Sequence, residues 1–361
     1  MIELSSIIKT FEKPFIAQYG NRLLPSHRKA LSDMRDCRSK QSRKMLVECA
    51  DCKHQVYVPH SCGHRNCPHC QAHESQLWIE RQLKKQVPAD YFMVTFTIPK
   101  EFRDLAWQHQ RKIFTAMFQN SWDTLKTFSQ NDKQLQGIPG AIAVLHTHSR
   151  RIDFHPHVHI VIPAGAIDRK KRLWQTKKSK KPFLFHQKPL AVMFRAKMLE
   201  AITQLGFSLP AKHPEKWIAH CKYVGSGGKA LIYLGRYLYR GVIQEKDIIS
   251  CENGIVTFRY QDSDTKQIKY RKVTGEKFLW MLLQHVLPKR FRRARNFGFL
   301  HPNSKQLIKI IQLVCQLDPN RALAWIRKRP PMLCSCCGDT MKIIKTRIRS
   351  VFADYGTLAP T

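Results

Sequence analysis

The sequence predicts an α+β fold, preceded by a small cysteine-rich module and followed by a helical tail. Three observations carry this expectation. Short β-like runs at Tyr91–Ile98, Ala141–His146 and His155–Ile162 alternate with segments whose apolar residues recur at helical spacing. The second and third runs are joined by the polar stretch His148–Asp153, so they face each other as a hairpin. Residues 37–70 are polar and rich in Cys and His, too short to build an apolar core without a staple.

The elements follow in order. Leu4, Ile7, Ile8, Phe11, Phe15 and Ile16 mark a helical amino-terminal segment interrupted by Pro14 and Pro25. Leu77, Trp78, Ile79 and Leu83 define a second helical stretch that ends before Pro88. After the Tyr91–Ile98 strand, residues 102–129 read as one or two helices, and the hairpin follows. Residues 166–182 read as a polar loop in which eight of the thirteen positions 169–181 are Lys or Arg. Helices are expected at 190–206, at Lys229–Val242 after the Gly225-Ser-Gly-Gly228 hinge, and at 275–287. Strands are expected at 254–260 and 267–273. The domain boundaries on this reading are 1–87 for a helical and zinc-binding part, 88–300 for the central domain, and 301–361 for a helical tail with a second cysteine group.

Charge narrows the function. With 62 Lys+Arg against 26 Asp+Glu, the chain carries +36, which indicates a polyanionic partner such as nucleic acid. The hydrophobic content of 43% is ample for packed cores and excludes a disordered polycation. No stretch approaches 18 uninterrupted apolar residues, and no secretory signal opens the sequence, so no membrane role is expected and the protein is read as cytoplasmic. The basic run 169–181, including Lys170 and Lys171, and the segment Lys289–Arg295, including Arg292 and Arg293, are expected to track phosphates.

Of twelve cysteines, five fall between residues 49 and 70 and three within 334–337, and in a reducing compartment such clustering points to metal. Cys49, Cys52, Cys67 and Cys70 approximate the four-cysteine zinc template. Cys37, Cys62, His60 and His64 lie close enough to leave the ligand set, and a second ion, open. A closed shell of four thiolates is structural, and it would present Lys53, Arg65 and His69 to DNA. Cys334-Ser-Cys336-Cys337-Gly338 resembles half a zinc site.

His157 and His159 flank one residue on a strand, so they share a face and are able to grip one cation. A turn centred near residues 151–152 sets His146 opposite His157 and makes it the candidate third ligand, with His155 and His148 in reserve. Imidazoles with open positions suit Mg²⁺ or Mn²⁺ shared with phosphate oxygens, or a softer ion such as Zn²⁺. Tyr233 and Tyr237, one turn apart on a helix, present two phenols on a common face. A phenol with a pKa near 10 needs a cation or base to attack, and Arg236, Arg240 or the metal would help.

Taken together, these residues resemble the two-tyrosine HUH transposases of rolling-circle insertion sequences. The resemblance rests on Cys49–Cys70 with Cys67-Pro-His-Cys-Gln71, Phe92–Pro99, Leu145-His-Thr147 and His155-Pro-His-Val-His159. Tyr233-Leu-Gly-Arg-Tyr237, Gln284–Pro288, Arg295–Leu300 and the terminal Cys334–Gly338 complete it, so that nearly the whole chain is covered. It implies an HUH endonuclease domain, an antiparallel sheet flanked by helices with the histidine pair facing the tyrosine helix, and an amino-terminal zinc domain. It further implies His157 and His159 as metal ligands and Tyr233 and Tyr237 as nucleophiles. The expected activity is cleavage and rejoining of single-stranded DNA, at hairpin transposon ends and at target DNA, through 5′-phosphotyrosine. Single-tyrosine relatives place a Gln ligand four residues after the nucleophile, whereas Gly241 stands there in this chain. A plasmid replication initiator or relaxase of the same chemistry and a non-catalytic zinc-dependent DNA-binding regulator are the alternatives. The zinc module, and a sequence without a Gly-x4-Gly-Lys-Ser/Thr loop, favour transposition over the initiator.

Overall fold

The computed structural model describes every residue except 1, 71, 169–172, 179–181, 240, 321–330 and 349–361. Its elements run α1 (Leu4–Tyr19), α2 (Pro25–Arg35), β1 (Lys44–Cys49), β2 (Gln55–Pro59), α3 (Ala72–Leu83) and β3 (Tyr91–Thr97). Next come α4 (Arg103–Gln108), α5 (Gln110–Asn131), the hairpin β4 (Ile138–His148) and β5 (Phe154–Pro163), β6 (Gly165–Asp168) and β7 (Leu173–Thr176). Then follow α6 (Gln187–Gln204), β8 (Ile218–Tyr223), α7 (Gly228–Tyr239), β9 (Ile248–Glu252), β10 (Ile255–Gln261) and β11 (Ile268–Thr274). The chain continues through α8 (Gly275–Leu283), β12 (Ala294–Gly298), α9 (Lys305–Val314) and β13 (Met341–Ile348).

The central sheet is antiparallel, in the order β7-β6-β4-β5-β3-β8, with β12 added on β4. Alternation in β3 and β5 sorts side chains onto two covered faces. Phe96, Val158 and Ile160 pack with Phe114, Phe118 and Phe194 of α5 and α6. On the opposite face Ile142, Val144 and Val161 pack with Trp78, Ile79, Leu231, Leu234 and Ile308 of α3, α7 and α9. A separate apolar cluster joins α1, α2 and α8 to the small sheet β11-β10-β9 through Phe15, Leu31, Phe258 and Phe278.

Gly235 fixes how α7 sits. A Cβ there would lie 2.2 Å from Ile79 Cγ1, so only glycine lets α7 approach α3 this closely. The Ser75 hydroxyl donates to the Gly235 carbonyl at 2.9 Å and anchors the same crossing. This turns the flanking positions 233 and 237 toward β4 and β5.

Two expectations are corrected. Within the segment expected to be a polar loop, 165–168 and 173–176 form a paired hairpin, because Ala166 and Ile167 bury their side chains against the sheet edge. The tail is not wholly helical: after α9 the chain returns to the amino-terminal module, where β13 pairs antiparallel with β1 in a sheet of order β13-β1-β2. No helix among the described residues is long and apolar enough to cross a membrane.

Candidate active site and metal centres

The hairpin register sets His146 directly opposite His157 and Val144 opposite His159. The three imidazoles therefore meet on one face. Ring centroids lie 4.4 Å apart for His146–His159, 4.8 Å for His157–His159 and 5.3 Å for His146–His157. One ring nitrogen from each can be chosen so that all three fall within 4.8 Å of one another.

The remaining nitrogens are already engaged. His159 Nδ1 lies 2.9 Å from the Thr95 hydroxyl on neighbouring β3, and His157 Nδ1 lies 2.7 Å from the His155 carbonyl. Each contact orients its ring and leaves Nε2 free. His146 is only 2% exposed, and its Nε2 has no hydrogen-bond partner. A buried imidazole nitrogen without a partner costs free energy unless something engages its lone pair, and a cation would do so. Burial pushes His146 and His157 well below the usual imidazole range, with neighbouring imidazoles adding to the effect, and burial holds His159 near 4. At neutral pH the trio is uncharged, the state a metal ligand needs.

Helix α7 lays its two phenols over this trio. The Tyr233 and Tyr237 centroids are 4.6 Å apart; Tyr237 stacks on His146 at 5.0 Å, and Tyr233 meets His159 edge-on at 6.5 Å. Tyr233 remains 39% exposed, so an incoming strand can reach it. Burial, together with the neighbouring Tyr237, raises the Tyr233 phenol above its ordinary range, which makes a nearby positive charge necessary for attack.

Other expected residues separate from this centre. His155 is held 2.6 Å from the Arg103 guanidinium, and His148 stands 6.2 Å from Tyr237 by ring centroid and 5.4 Å from His285, so neither reserve joins the trio. Arg236 is exposed on α7. Lys170, Lys171 and Arg240 lie outside the described residues. Arg292 is exposed, but Arg293, expected on the DNA-facing surface, is only 4% exposed. Its Nε donates to the Leu145 carbonyl at 3.0 Å, one residue before His146, because residue 293 extends the β12 pairing with β4 inward. Burial lowers its pKa to about 10, which still leaves it cationic at neutral pH.

Three further features of this region were not singled out from the sequence: Thr95, the burial of Arg293, and His285, whose contacts brace the hairpin. His285 lies 3.2 Å from the Thr147 hydroxyl through Nδ1 and 3.1 Å from the Ile152 carbonyl through Nε2. A lone Thr on a strand carries no local signal. His285 was visible only within the Gln284–Pro288 motif, without a role.

The cysteines regroup. The single Cys49–Cys52–Cys67–Cys70 tetrahedron expected from spacing does not form. Cys67 and Cys70 converge with Cys37 and Cys62, whereas Cys49 and Cys52 converge with Cys334 and Cys337. The physical reason is strand direction: β1 and β2 carry the first pair away from the second and toward the returning β13. His60 belongs to neither group; its Nδ1 lies 2.6 Å from the Ser61 carbonyl.

A cleft of about 1240 Å³ opens between α3, β12 and α9. Nine Lys and Arg side chains and no carboxylate line it, among them Arg81, Lys85, Arg111, Arg292, Arg295 and Lys309. Among the described residues none of these six takes part in an ion pair with a carboxylate. Burial, with like charge crowding in behind it, lowers Lys85 and Arg295. Such a surface attracts polyanions.

Comparison with known proteins finds similarity to transposases over most of the chain. Residues 7–98 match the family model described as "Transposase zinc-binding domain", and residues 140–307 match the one described as "Putative transposase". The chain is 26% identical over 322 residues to "Putative transposase y4qJ" of Sinorhizobium fredii, covering 82% of this chain and 80% of that protein. It is 28% identical over 271 residues to the transposase for insertion sequence element IS801 of Pseudomonas savastanoi pv. phaseolicola, covering 69% of this chain and 63% of that one. Among solved structures, the conjugative relaxase TrwC in complex with mutant oriT DNA aligns with a TM-score of 0.28 and 14% identity, over 62% of this chain and 74% of that one.

Proposed function

We propose that the chain, whose residues 7–98 and 140–307 match transposase family models, is an insertion-sequence transposase with an amino-terminal zinc-binding domain, and that it moves DNA by cleaving and rejoining single strands through Tyr233 and Tyr237. The observation that carries this reading is the placement of both phenols over a trio of neutral histidines with an unpartnered nitrogen.

His146, His157 and His159 would hold a divalent cation, Mg²⁺ or Mn²⁺. Bound there, such an ion neutralises charge on the scissile phosphate. The protein's own residues do the rest. The His155 carbonyl, which can only accept, keeps His157 in the tautomer with Nδ1 protonated and Nε2 unprotonated, and the Thr95 hydroxyl orients the His159 ring. His285 ties the end of β4 to the hairpin turn, so the register that aligns His146 with His157 is held from behind. Arg293 adds a fixed positive charge beside the site, within a water-poor setting where it acts strongly on developing negative charge.

In the reaction, one phenolic oxygen attacks phosphorus in line with the 3′ oxygen. The tyrosine O–P bond forms, the P–O3′ bond breaks, the phenol proton is lost, and the departing 3′ oxygen gains a proton. The products are a 5′-phosphotyrosine and a free 3′-OH. Because one phosphodiester replaces another, a later 3′-OH can reverse the step on the enzyme without an external energy source. Two tyrosines allow two strands to be handled in succession. The cationic cleft beside β12 would hold the DNA leading to the site, tracking phosphates rather than bases.

The test is covalent capture. Incubated with a labelled single-stranded oligonucleotide spanning a transposon end, the wild-type protein is expected to form a chelator-sensitive adduct that survives denaturing electrophoresis. Tyr233→Phe plus Tyr237→Phe should remove it. An adduct that persists in the double variant would reject the assignment, and a wild-type protein that binds DNA but forms none would support a non-catalytic regulator.

A further inference from the structure

The second cysteine group has ligands from both ends of the chain. Cys49 Sγ lies 3.4 Å from Cys337 Sγ, and Cys52 Sγ lies 3.7 Å from Cys334 Sγ, with all four sulfurs within 4.8 Å of one another. These separations decide the chemistry. A disulfide requires about 2.05 Å between sulfurs, whereas a tetrahedron of thiolates at about 2.3 Å from zinc has edges of about 3.8 Å. The Cys37, Cys62, Cys67 and Cys70 group shows the same spacing, at 3.5 to 3.6 Å for the pairs in contact.

The two turns that supply the ligands have matching shapes. Each pair has the form Cys-x2-Cys, and each is followed by a residue in the left-handed region, Lys53 at φ 59° and Gly338 at φ 77°. In the second turn the Cys336 amide donates to Cys334 Sγ at 3.4 Å, and the Gly338 amide donates to the Cys334 carbonyl at 3.0 Å. The Ala50 amide donates to the Thr340 carbonyl at 3.0 Å, joining the two turns directly, and β13 then runs along β1 with Cys49 opposite Met341.

We propose that Cys49, Cys52, Cys334 and Cys337 form a second structural zinc site, separate from the Cys37–Cys62–Cys67–Cys70 centre, which clamps the carboxy-terminal segment onto the amino-terminal module. The match to the zinc-binding family model ends at residue 98, so two of the four ligands lie far outside it. The segment 333–348 is thereby part of the zinc module: it supplies half of a metal shell and the strand that covers one edge of β1. All four ligands are protein thiolates, which closes the shell and gives the ion no catalytic position. The inference depends on cysteine geometry alone and stands or falls independently of the tyrosine chemistry.

The experiment is zinc counting on full-length protein, using native mass spectrometry and release of thiolate-bound zinc by a mercurial reagent. Wild type is expected to hold two thiolate-bound zinc ions per chain. Cys334→Ser plus Cys337→Ser should hold one, as should Cys62→Ser plus Cys70→Ser, while Cys336→Ser should hold two because Cys336 lies outside both groups. Hydrogen exchange on the wild-type protein supplies a readout that needs no variant: amides of 341–348 should be protected with zinc bound and exposed after its removal. One thiolate-bound zinc in wild type, two in the Cys334/Cys337 variant, a Cys49–Cys337 or Cys52–Cys334 disulfide in protein kept under reductant, or protection of 341–348 that ignores zinc would each overturn the proposal.

Discussion

The Tyr237 ring lies nearly parallel to the His146 imidazole, 17° between planes and 5.0 Å between centroids. His146 thus has two separable features: its flat face supports a phenol, and its buried Nε2 has no hydrogen-bond partner. His146→Phe keeps the face and removes the nitrogen. We expect folding stability to stay within about 1.5 kcal/mol of wild type, since a similarly shaped apolar ring replaces a buried unsatisfied polar one. Chelator-sensitive adduct formation should be lost. Thermal unfolding and covalent capture on one preparation check both halves.

Thr95 should matter through His159 rather than through DNA. Thr95→Val removes the hydroxyl 2.9 Å from His159 Nδ1 and frees the ring to rotate or change tautomer. The half-maximal Mn²⁺ concentration for adduct formation is expected to rise by roughly 10- to 100-fold, the usual effect of losing an outer partner of a metal-binding histidine. An unchanged Mn²⁺ dependence would remove Thr95 from the site.

Acid should destabilise the fold from within. Burial holds His27 and His285 near 4, below an ordinary value of 6.5. Between pH 6.5 and 4 the unfolded chain binds protons that the folded one excludes, so stability is complete above 6.5 and falls as pH drops through that window. At pH 5 each such histidine costs about 2 kcal/mol relative to neutral pH. Urea midpoints at pH 7 and pH 5 measure the combined loss, and His27→Leu, at a position packed on Trp107 away from the tyrosines, should recover part of it.

The cationic cleft predicts a salt signature. Arg292→Ala with Lys309→Ala removes two lining charges. For single-stranded DNA the slope of log K against log salt should become shallower by about 1.4, roughly 0.7 per phosphate contact. Cleavage at saturating DNA should be preserved, because neither residue touches the histidine trio.

Gly235 offers a packing test. Alanine there would press on Ile79, forcing α7 outward and costing about 1–3 kcal/mol. Because α7 carries both phenols, adduct formation should decline with stability. Adding Ile79→Ala opens the space and should restore the crossing at least in part.

The sequence made the histidine trio legible because strand alternation and one hairpin turn determine which residues share a face; His146 opposite His157 follows from counting across residues 151–152. The tyrosine pair was legible for the same local reason, one helical turn. The cysteine partners were not. Spacing shows that two turns each offer two thiolates, but which turns meet depends on β1 and β13 pairing across nearly three hundred residues, and no local pattern encodes that. Arg293 misled in the opposite sense. Within Lys289–Arg295 every cation looks alike, yet inward extension of the β12 ladder buries that one.

The pairing of β13 with β1 also sets a schedule. During synthesis β1 leaves the ribosome roughly 290 residues ahead of its partner strand, a wait of about 15–60 s at 5–20 residues per second. Until then one edge of β1 stays bare and Cys49 and Cys52 lack their counterparts. A polypeptide cut short by a premature stop would never complete its own amino-terminal fold, so only ribosomes that reach the distal codons would yield a finished protein.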